Sequence, residues 1–339
     1  GLTYKEIERD GFNINKKIEM ILSSDAPSGI IKSTGLGMIG LGDAFAEIKP
    51  DAIVILGDRY EMLAASFAAT VHNIPIVHLH GGEITEGAFD DAIRHSISKM
   101  SMWHFVASQD YADIVKQLGE NPKRIFNVGG LGVDAIKRTK LLSKQALIEQ
   151  SKIKFFKKNL LITYHPTTLE PDTSKLAIKN ILDVLEELND TFLIFTMPNS
   201  DTDNRIIKDM ILKFVSVNEK KSIAFDSMGY QRYVSTLKYV DAVLGNSSSG
   251  LLEAPTFKIG TINVGDRQKG RLKAKSVIDC KASKRSLRKA INTLYTENFQ
   301  ESLKSTVNPY GRGKAVKKII DFLENLKLPK LLKKTFFQL

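Results

Sequence analysis

The stretch "IPIVHLHGGE", residues 74–83, is an apolar run that ends in a glycine pair and an acid. Runs of the same kind are "AIVILGD" at 52–58, "MWHFVAS" at 102–108 and "IFNVGG" at 125–130. Their hydrophobicity is continuous rather than alternating, which is typical of strands buried on both faces of a parallel sheet. The first part of the chain is therefore predicted to contain one parallel sheet.

Helical patterns such as "RYEMLAASFAATVHN" and "SQDYADIVKQLGE" separate these runs. After a basic stretch around Lys152, a second series of buried strands is predicted from "NLLITYHP", "TFLIFTMPN", "KSIAFDS", "DAVLGNSSS" and "KIGTINVGD", again with helices between them. This alternation predicts an α/β fold with two doubly wound, Rossmann-like domains that meet near residue 150. Ligands of such sheets bind outside the carboxyl ends of the strands.

Composition favours a globular enzyme with two domains. The 339 residues exceed the usual size of one hydrophobic core. A 42% hydrophobic and 26% charged composition is ordinary for a soluble protein, and no apolar run approaches the roughly 20 residues that span a bilayer. Cys280 is the only cysteine, which excludes an intramolecular disulfide and a Cys-rich zinc site and favours the cytoplasm.

The formal net charge of +11 is compatible with nucleic acid, an acidic membrane surface or a polyanionic small molecule as partner. Much of the excess lies in residues 152–158 and in the tail from Arg312 to Lys334. We interpret these as solvated faces or a terminal helix. No nucleic-acid-binding signature accompanies them, so neither nucleic acid nor membrane insertion is expected.

The sequence "GLGMIG" at 35–40 matches the glycine pattern of dinucleotide-binding loops. The preceding "SSDAPSGIIKST" is not a buried strand, however, and the surroundings predict a helix that leads into the strand at Ala52. We therefore interpret the glycines as small residues that let a helix pack closely, and a nicotinamide cofactor is disfavoured.

The stretch "DAVLGNSSSGLLEAP" at 241–255 reads as a strand, a polar turn and a helix. It carries three serine hydroxyls and one acid: Ser247, Ser248, Ser249 and Glu253. A helix start with free N–H groups and hydroxyls can bind a diphosphate, and the acid can accept hydrogen bonds from ribose hydroxyls. The alternative is a serine N-cap with a satisfied glutamate.

The following "NVGDRQKGR" adds Arg267, Lys269 and Arg271 at the end of the next strand. Three cations at one strand end form a rim suited to phosphate. Together with the serine turn, this rim favours binding of a nucleoside diphosphate.

Polar residues also follow the strands of the first sheet. Asp58 and Arg59 follow one buried strand, and His80 and Glu83 follow the next, across a Gly-Gly turn expected to admit a sugar. His165 holds the corresponding place in the second domain and would face them across the cleft. Each histidine alone is more often a core or rim residue, but their convergence at strand ends favours general acid/base chemistry.

A metal site is the other interpretation of this histidine-rich region. His78 and His80 point to the same face of one strand, and in "DDAIRH" Asp91 and His95 can share a helix face. The spacings of zinc and non-haem iron sites are absent. We predict no metal ligation; the acids are alternatively a helix cap.

Five motifs in this order resemble the hydrolysing UDP-N-acetylglucosamine 2-epimerases, especially the bacterial branch of sialic acid synthesis: "ILGDRYE", "HNIPIVHLHGGE", "DDAIRHSISKMS", "GNSSSGLLEAP" and "INVGDRQKGR". The resemblance extends to about residue 325. It implies a GT-B arrangement of two Rossmann-like domains, UDP bound mainly by the second, a homo-oligomer, and neither metal nor cofactor. The implied reaction converts UDP-N-acetylglucosamine and water to N-acetylmannosamine and UDP.

The resemblance also implies a mechanism and a set of residues. UDP is eliminated across C1–C2 to give a 2-acetamidoglucal, whose hydration inverts C2. The implied catalytic residues are Asp58, His80, Glu83, Asp91 and His165, of which His165 acts on the diphosphate. The implied substrate ligands are Arg59, Asn199, Ser247, Ser248, Ser249, Gly250, Glu253 and Arg267.

Two departures from the family pattern stand out. His80 occupies a position where many members have glutamate, so the proton at C2 is moved by His80, Glu83 or Asp91. The chain begins at "GLTYKEIERDGF", and we expect it to lack the strand and helix that open the family's first domain. The expected domains are then residues 1–150 with the acid/base residues, 151–310 with the UDP site, and 311–339 with a C-terminal helix and basic tail.

Other substrates and classes stay open. A related branch acts on UDP- or GDP-linked N,N'-diacetylbacillosamine in legionaminic acid synthesis. A GT-B glycosyltransferase or a non-catalytic nucleotide-sugar binder is a rival from another class.

Overall fold

Two parallel sheets form the framework of the protein. The computed structural model describes residues 4–22, 26–86, 89–166, 173–198, 204–328 and 332–339. The first sheet contains β1 (Ile53–Leu56), β2 (Ile76–Leu79), β3 (Trp103–Val106) and β4 (Ile125–Asn127), in the order β1-β2-β3-β4. The second contains β5 (Lys158–Thr163), β6 (Thr191–Thr196), β7 (Ser222–Phe225), β8 (Ala242–Gly245), β9 (Gly260–Val264) and β10 (Val277–Cys280).

The second sheet has the order β10-β9-β8-β5-β6-β7, and all its pairs are parallel. The strand order reverses between β5 and β8, which is the topological switch point of a doubly wound fold. The three pairs of the first sheet are parallel as well. The predicted α/β class with two Rossmann-like sheets is confirmed; the boundary near residue 150 stays a prediction between β4 and β5.

Helices connect the strands and cover the sheets. Those of the first half are α1 (Tyr4–Arg9), α2 (Pro27–Ile48), α3 (Tyr60–Val71), α4 (Asp90–Met100), α5 (Gln109–Gln117), α6 (Leu131–Arg138) and α7 (Lys144–Ser151). Those of the second half are α8 (Thr173–Glu186), α9 (Asn204–Val217), α10 (Tyr230–Leu237), α11 (Ser249–Leu252), α12 (Lys284–Leu294), α13 (Glu297–Lys304) and α14 (Ala315–Glu324).

Strand β2 shows why its sequence is continuously apolar. On one face, Val77 and Leu79 pack in a cluster with Ile319 of α14. On the other, Ile76 packs with Ile97 of α4. Both faces of the strand are therefore covered by helices, and no position is left for an exposed polar side chain.

Helix α14 follows the second sheet in the chain but packs on the first. Its first turn is held by the buried Asp134 of α6, whose carboxylate accepts hydrogen bonds from the backbone N–H groups of Lys314 and Val316. These two donors are among the orphan N–H groups of a helix start. The chain therefore crosses back to the first sheet just before α14.

The "GLGMIG" motif lies within α2, so the interpretation as a helix is confirmed. A Cβ added at Gly37 would lie 2.6 Å from the Met20 Cε, and one at Gly40 would lie 2.5 Å from the Ile18 Cγ2. The glycines let the segment before α2 pack directly onto its backbone.

The basic tail is only partly a terminal helix. The helix α14 ends at Glu324, and residues 332–339 are not helical. The Lys334 ammonium donates to the buried Glu120 carboxylate at 2.7 Å, and the Phe336 ring lies where a side chain on Gly119 would be. The end of the tail is thus anchored to the protein rather than fully solvated.

Among the residues that the structure describes, none of the helices combines the length and apolar character that crossing a bilayer requires.

Candidate active site

A cavity of about 250 Å³ lies at the carboxyl ends of the strands, where the two sheets face each other. Strands β1 and β2 lead into it from the first sheet, and the turn after β8 borders it from the second. Its polar lining comes from both sides: Asp58, His80, Glu83, Arg94, Ser248, Glu253, Arg271 and Tyr310. The cleft predicted from the strand ends is therefore present, and it brings together residues far apart in the chain.

His80 and Glu83 form a hydrogen-bonded pair at the end of β2. The His80 Nδ1 lies 2.6 Å from the Glu83 Oε1, and the His80 Nε2 accepts a hydrogen bond from the Leu131 backbone N–H at 3.1 Å. Because the Nε2 accepts, the ring proton is assigned to Nδ1, which donates to the carboxylate. A carboxylate behind an imidazole fixes the tautomer and stabilises the imidazolium if the ring gains a proton.

The His80 backbone has an unusual conformation. Its φ is 64°, in the left-handed region, and its N–H donates to the Phe105 carbonyl at 2.8 Å. Such a conformation costs a non-glycine residue roughly 1–3 kcal/mol and persists where the surrounding structure holds it, often at functional sites. We infer that this backbone conformation directs the His80 ring from the end of β2 toward the start of α6.

Glu83 is a buried carboxylate with two cationic or proton-donating neighbours. Burial alone would raise its pKa, but the nearby Arg271 charge and the hydrogen bond from His80 outweigh burial, and the pKa of Glu83 is lowered. The Arg271 Nη2 lies 3.3 Å from the Glu83 Oε2. Glu83 is therefore ionised at neutral pH, as an orienting partner for His80 requires.

Asp58 at the end of β1 pairs with Arg94, a residue that the sequence did not single out. The Arg94 guanidinium donates to the Asp58 carboxylate, to the Glu83 carbonyl at 2.6 Å and to the Thr85 hydroxyl at 3.0 Å. Its side chain is 1% exposed, and burial, then repulsion by Arg271, lowers the pKa of Arg94 to about 9. Arg94 still carries its charge at neutral pH and ties the ends of β1 and β2 together.

Asp91 does not line the cavity. Its carboxylate accepts the Thr85 N–H at 2.5 Å and lies 3.5 Å from the His95 Nε2. Asp91 therefore holds the loop after Glu83 in place. The sequence suggested that Asp91 acts on the substrate, whereas its position in the structure is a supporting one.

His78 is a core residue. Its Nε2 donates to the Gly57 carbonyl at 2.9 Å, its Nδ1 accepts from Ser98 at 3.1 Å, and burial lowers the pKa of His78 to about 3. Within the described ranges, no three His, Cys, Asp or Glu side chains converge as a metal ion would require.

The Gly81–Gly82 turn was expected to admit a sugar, and this expectation is wrong. A Cβ on Gly82 would lie 2.3 Å from the Tyr111 carbonyl oxygen, and one on Gly81 would lie 2.8 Å from the Ser98 Oγ. Gly82 also has a φ of 77°. The glycines make room for the protein's own backbone and side chains, and they let Glu83 turn back toward His80.

The serine turn after β8 is partly used within the protein. The Ser249 hydroxyl donates to Glu253 and accepts from the Tyr233 hydroxyl at 2.6 Å. Burial raises the pKa of Glu253, while the hydrogen bond from Ser249 opposes this rise. The Ser247 hydroxyl accepts a hydrogen bond from the Ser249 backbone N–H at 3.4 Å. The predicted helix is short: α11 ends at Leu252.

Gly250 has a packing role in this turn, since a Cβ there would lie 2.6 Å from the Thr261 Cγ2. Ser248 and Glu253 border the cavity, and Gly132 of α6 faces Glu253 without a side chain between them. The second sheet thus offers a carboxylate and a hydroxyl to whatever occupies the cavity.

His165 lies at the end of β5, as predicted, and is held by Asn246. The Asn246 side chain accepts from the His165 N–H at 2.7 Å and donates to its carbonyl at 2.8 Å. Burial, followed by the positive charges of Arg267 and Arg59, lowers the pKa of His165 to about 3. Since Arg59 follows β1 and Arg267 follows β9, charges from both sheets converge on this histidine. Asn199 lies outside the described residues.

The cationic rim predicted after β9 is not formed as expected. The Lys269 ammonium pairs with Glu86 at 2.7 Å, and Arg271 reaches Glu83 and Thr85, so both point to the first sheet's loop rather than to a phosphate position. Arg267 keeps the position near His165.

Tyr310, like Arg94, is a site residue that the sequence did not single out. It precedes α14, and its hydroxyl lies 3.0 Å from that of Tyr111 and 3.2 Å from the Leu272 carbonyl. The only sequence signal was a turn-forming "NPYGRG" stretch, which carries no information on its partners.

Comparisons with known proteins identify the family of the chain. A family model for UDP-N-acetylglucosamine 2-epimerase matches residues 2–324. The chain is 44% identical over 340 residues to a "GDP/UDP-N,N'-diacetylbacillosamine 2-epimerase (hydrolyzing)" of Campylobacter jejuni, with 100% of this chain and 88% of that protein covered. It is 37% identical over 330 residues to the "Polysialic acid biosynthesis protein P7" of Escherichia coli, covering 96% and 84%.

The fold is similar to that of the crystal structure of UDP-GlcNAc 2-epimerase from Neisseria meningitidis bound to UDP-GlcNAc. The TM-score is 0.82 at 19% identity, and the match covers 96% of this chain and 89% of that one. This likeness shows the fold, and the family model and the sequence relatives show the family. The chain therefore belongs to the UDP-N-acetylglucosamine 2-epimerase family of nucleotide-sugar enzymes.

Proposed function

We propose that this protein is a hydrolysing 2-epimerase of nucleotide-linked N,N'-diacetylbacillosamine. The observation that carries the proposal is the His80–Glu83 pair, which shares one cavity with Asp58 and with Glu253 of the second sheet. Similarity supports the sugar: the Campylobacter jejuni relative is named for this substrate and is more similar than the Escherichia coli relative. UDP-N-acetylglucosamine, the sugar favoured by the motifs alone, is the second candidate.

In the proposed reaction a base removes the C2 proton while the C1–O bond breaks and its electron pair leaves with the nucleoside diphosphate. A double bond forms between C1 and C2. Water then adds across it: the hydroxyl goes to C1, and a proton returns to C2 on the opposite face. The free manno sugar and the nucleoside diphosphate are released, and one water is consumed.

We assign the C2 proton to His80. The Glu83 oxygens are already engaged by the His80 Nδ1 and by Arg271, and Asp91 does not line the cavity. The His80 Nε2 lies at the start of α6, whose first residues line the cavity, and as the base it would exchange the hydrogen bond from the Leu131 N–H for the C2 proton of the substrate. A neutral imidazole backed by a carboxylate is a general base suited to neutral pH. Asp58 is the second candidate acid/base group in the same cavity.

The nucleotide would bind toward the second sheet. Arg59, Arg267 and His165 converge where a diphosphate can be neutralised, and Ser248 adds a hydroxyl. The Glu253 carboxylate can accept hydrogen bonds from ribose hydroxyls, which would favour its ionised form against the effect of burial.

The substrate is tested by product analysis with three separate compounds: UDP- and GDP-linked N,N'-diacetylbacillosamine, and UDP-N-acetylglucosamine. We expect one of the two diacetylbacillosamine nucleotides to give the highest kcat/KM, by at least about tenfold. A pocket that hydrogen-bonds a polar group of its substrate strongly rejects an analogue that lacks this group. Free sugar and nucleoside diphosphate should appear in equal amounts. A preference for UDP-N-acetylglucosamine would select the second candidate. Sugar transfer to an acceptor would contradict both.

A further inference from the structure

A loop between β9 and β10, residues 265–274, crosses from the second sheet to the first. We name it the bridging loop. Lys269 pairs with Glu86 across the gap. At Gly270, where φ is 84°, an added Cβ would lie 2.4 Å from the Ile84 Cγ2. The backbone of the loop therefore packs directly against the segment that follows Glu83.

Arg271 extends from this loop into the site. Its Nη2 lies 3.3 Å from the Glu83 Oε2, its Nε and Nη2 donate to the Thr85 hydroxyl at 3.3 and 3.2 Å, and its Nε donates to the Ile84 carbonyl at 3.3 Å. The side chain is 9% exposed. A guanidinium with several donors in a rigid fork is well suited to fix one carboxylate orientation.

The start of the loop contacts the proposed diphosphate region. Arg267 and Gln268 both donate to the Asn246 carbonyl, at 3.3 and 2.8 Å. Asn246 in turn holds the His165 backbone. One short segment therefore contacts the nucleotide side of the cleft at one end and the His80–Glu83 pair at the other.

The end of the loop is fixed by two phenols of the first sheet's side. The Leu272 N–H donates to the Tyr111 hydroxyl at 3.2 Å, and the Leu272 carbonyl accepts from the Tyr310 hydroxyl at 3.2 Å. The two hydroxyls lie 3.0 Å apart. This anchoring limits the positions that Arg271 can take.

We propose that Arg271 is a positioning residue, supplied by the second sheet, that orients Glu83 toward His80 and so completes the acid/base pair from across the cleft. The inference rests on the proposed function, because it assigns the pair to proton transfer.

The charges around Glu83 set the direction of the expected pH effect. The groups that face it are His80, His78, Arg271, Tyr111 and Tyr310, while Arg94 contacts its carbonyl. Burial raises the pKa of both phenols, so they are neutral. Without Arg271, one of the positive charges that oppose the effect of burial would be lost, and the pKa of Glu83 would rise. The carboxylate would then stay protonated to higher pH, and activity would be lost on the acid side at a higher pH than in the wild type.

The test compares Arg271→Met with Lys273→Met, a control in the same loop whose cation pairs with Asp279 away from the cavity. We expect Arg271→Met to lower kcat roughly 10- to 100-fold, to leave KM and the UDP dissociation constant within about threefold, and to move the acid limb of kcat to higher pH. Guanidinium added to Arg271→Ala should restore part of kcat. Lys273→Met should match the wild type in each property.

If Arg271 were merely structural, Arg271→Met would instead weaken UDP binding as much as it lowers kcat and would leave the pH profile unchanged, which would overturn the proposal. A second measurement needs no substrate: carboxyl ¹³C NMR of glutamate-labelled protein, with the Glu83 signal assigned by Glu83→Gln. The Glu83 titration should move to higher pH in Arg271→Met. An unmoved titration also overturns the proposal. A wild type inactive on every nucleotide sugar would refute the proposed function alone, because the NMR titration would still decide the role of Arg271.

Discussion

Replacing His80 by asparagine is expected to lower kcat by roughly 100- to 10,000-fold, the range that general acid/base catalysis contributes. Asparagine tolerates the left-handed backbone found at this position, so the fold should be kept, but its amide cannot take the C2 proton. The UDP dissociation constant should change by less than about twofold, because His80 follows a strand of the first sheet, whereas the nucleotide is proposed to bind toward the second. Steady-state kinetics and calorimetric titration with UDP measure the two quantities.

Glu253→Ala is the matched comparison for this experiment, since Glu253 lines the same cavity from the second sheet. It should weaken UDP binding at least about tenfold, the effect of losing a charge-assisted hydrogen bond, and should affect kcat less. An unchanged kcat in His80→Asn would assign His80 a structural role and pass the base function to Asp58 or Glu83.

Replacing Arg94 by alanine should lower the free energy of unfolding by about 3–5 kcal/mol, the cost of breaking a buried ion pair from one side. The Asp58 carboxylate, the Glu83 carbonyl and the Thr85 hydroxyl would each lose their donor. Urea denaturation followed by circular dichroism measures the loss.

The control for Arg94 is Arg288→Ala. Arg288 also holds a carboxylate with two nitrogens, at 2.8 and 2.6 Å from Glu187, but on the surface. Exposed ion pairs contribute little, so this variant should unfold at nearly the wild-type urea concentration. If both arginine variants lost the same stability, the buried network would not be what holds the ends of β1 and β2 together.

The fold could be predicted where strands are buried on both faces, because continuous hydrophobicity then marks them in the sequence. All strands of the first sheet and β5 to β9 contain such apolar runs in the sequence, although β1, β4 and β7, which lie at sheet edges, are only partly buried. Strand β10, "VIDC", was missed. It lies at the edge of the second sheet with partly exposed residues, so its short, mixed pattern does not differ from that of a loop.

The site was predictable to the extent that it follows strand ends. Asp58, His80 and Glu83 come shortly after two predicted strands, and parallel strands place such residues at one edge of the sheet. The partners of these residues were not predictable. Arg94 lies on a helix and Tyr310 in the turn before α14, and their contacts depend on how the elements pack.

Arg271 shows most clearly which part of the site cannot be predicted from the sequence. Its charge can be read from the sequence, and a cation after a strand suggests phosphate. Which anion it meets is decided by the path of the bridging loop, which brings it 3.3 Å from Glu83. The orientation of the His80 ring likewise depends on the Leu131 N–H, a contact between separate elements.

We propose that the protein removes and replaces the C2 proton while it releases the nucleoside diphosphate. The most direct measurement is the reaction of nucleotide-linked N,N'-diacetylbacillosamine in deuterium oxide, with NMR and mass spectrometry of the released sugar. The proposed function predicts a manno sugar with one deuterium at C2, in an amount equal to the released nucleoside diphosphate. A released sugar that retains its original hydrogen at C2 would contradict it.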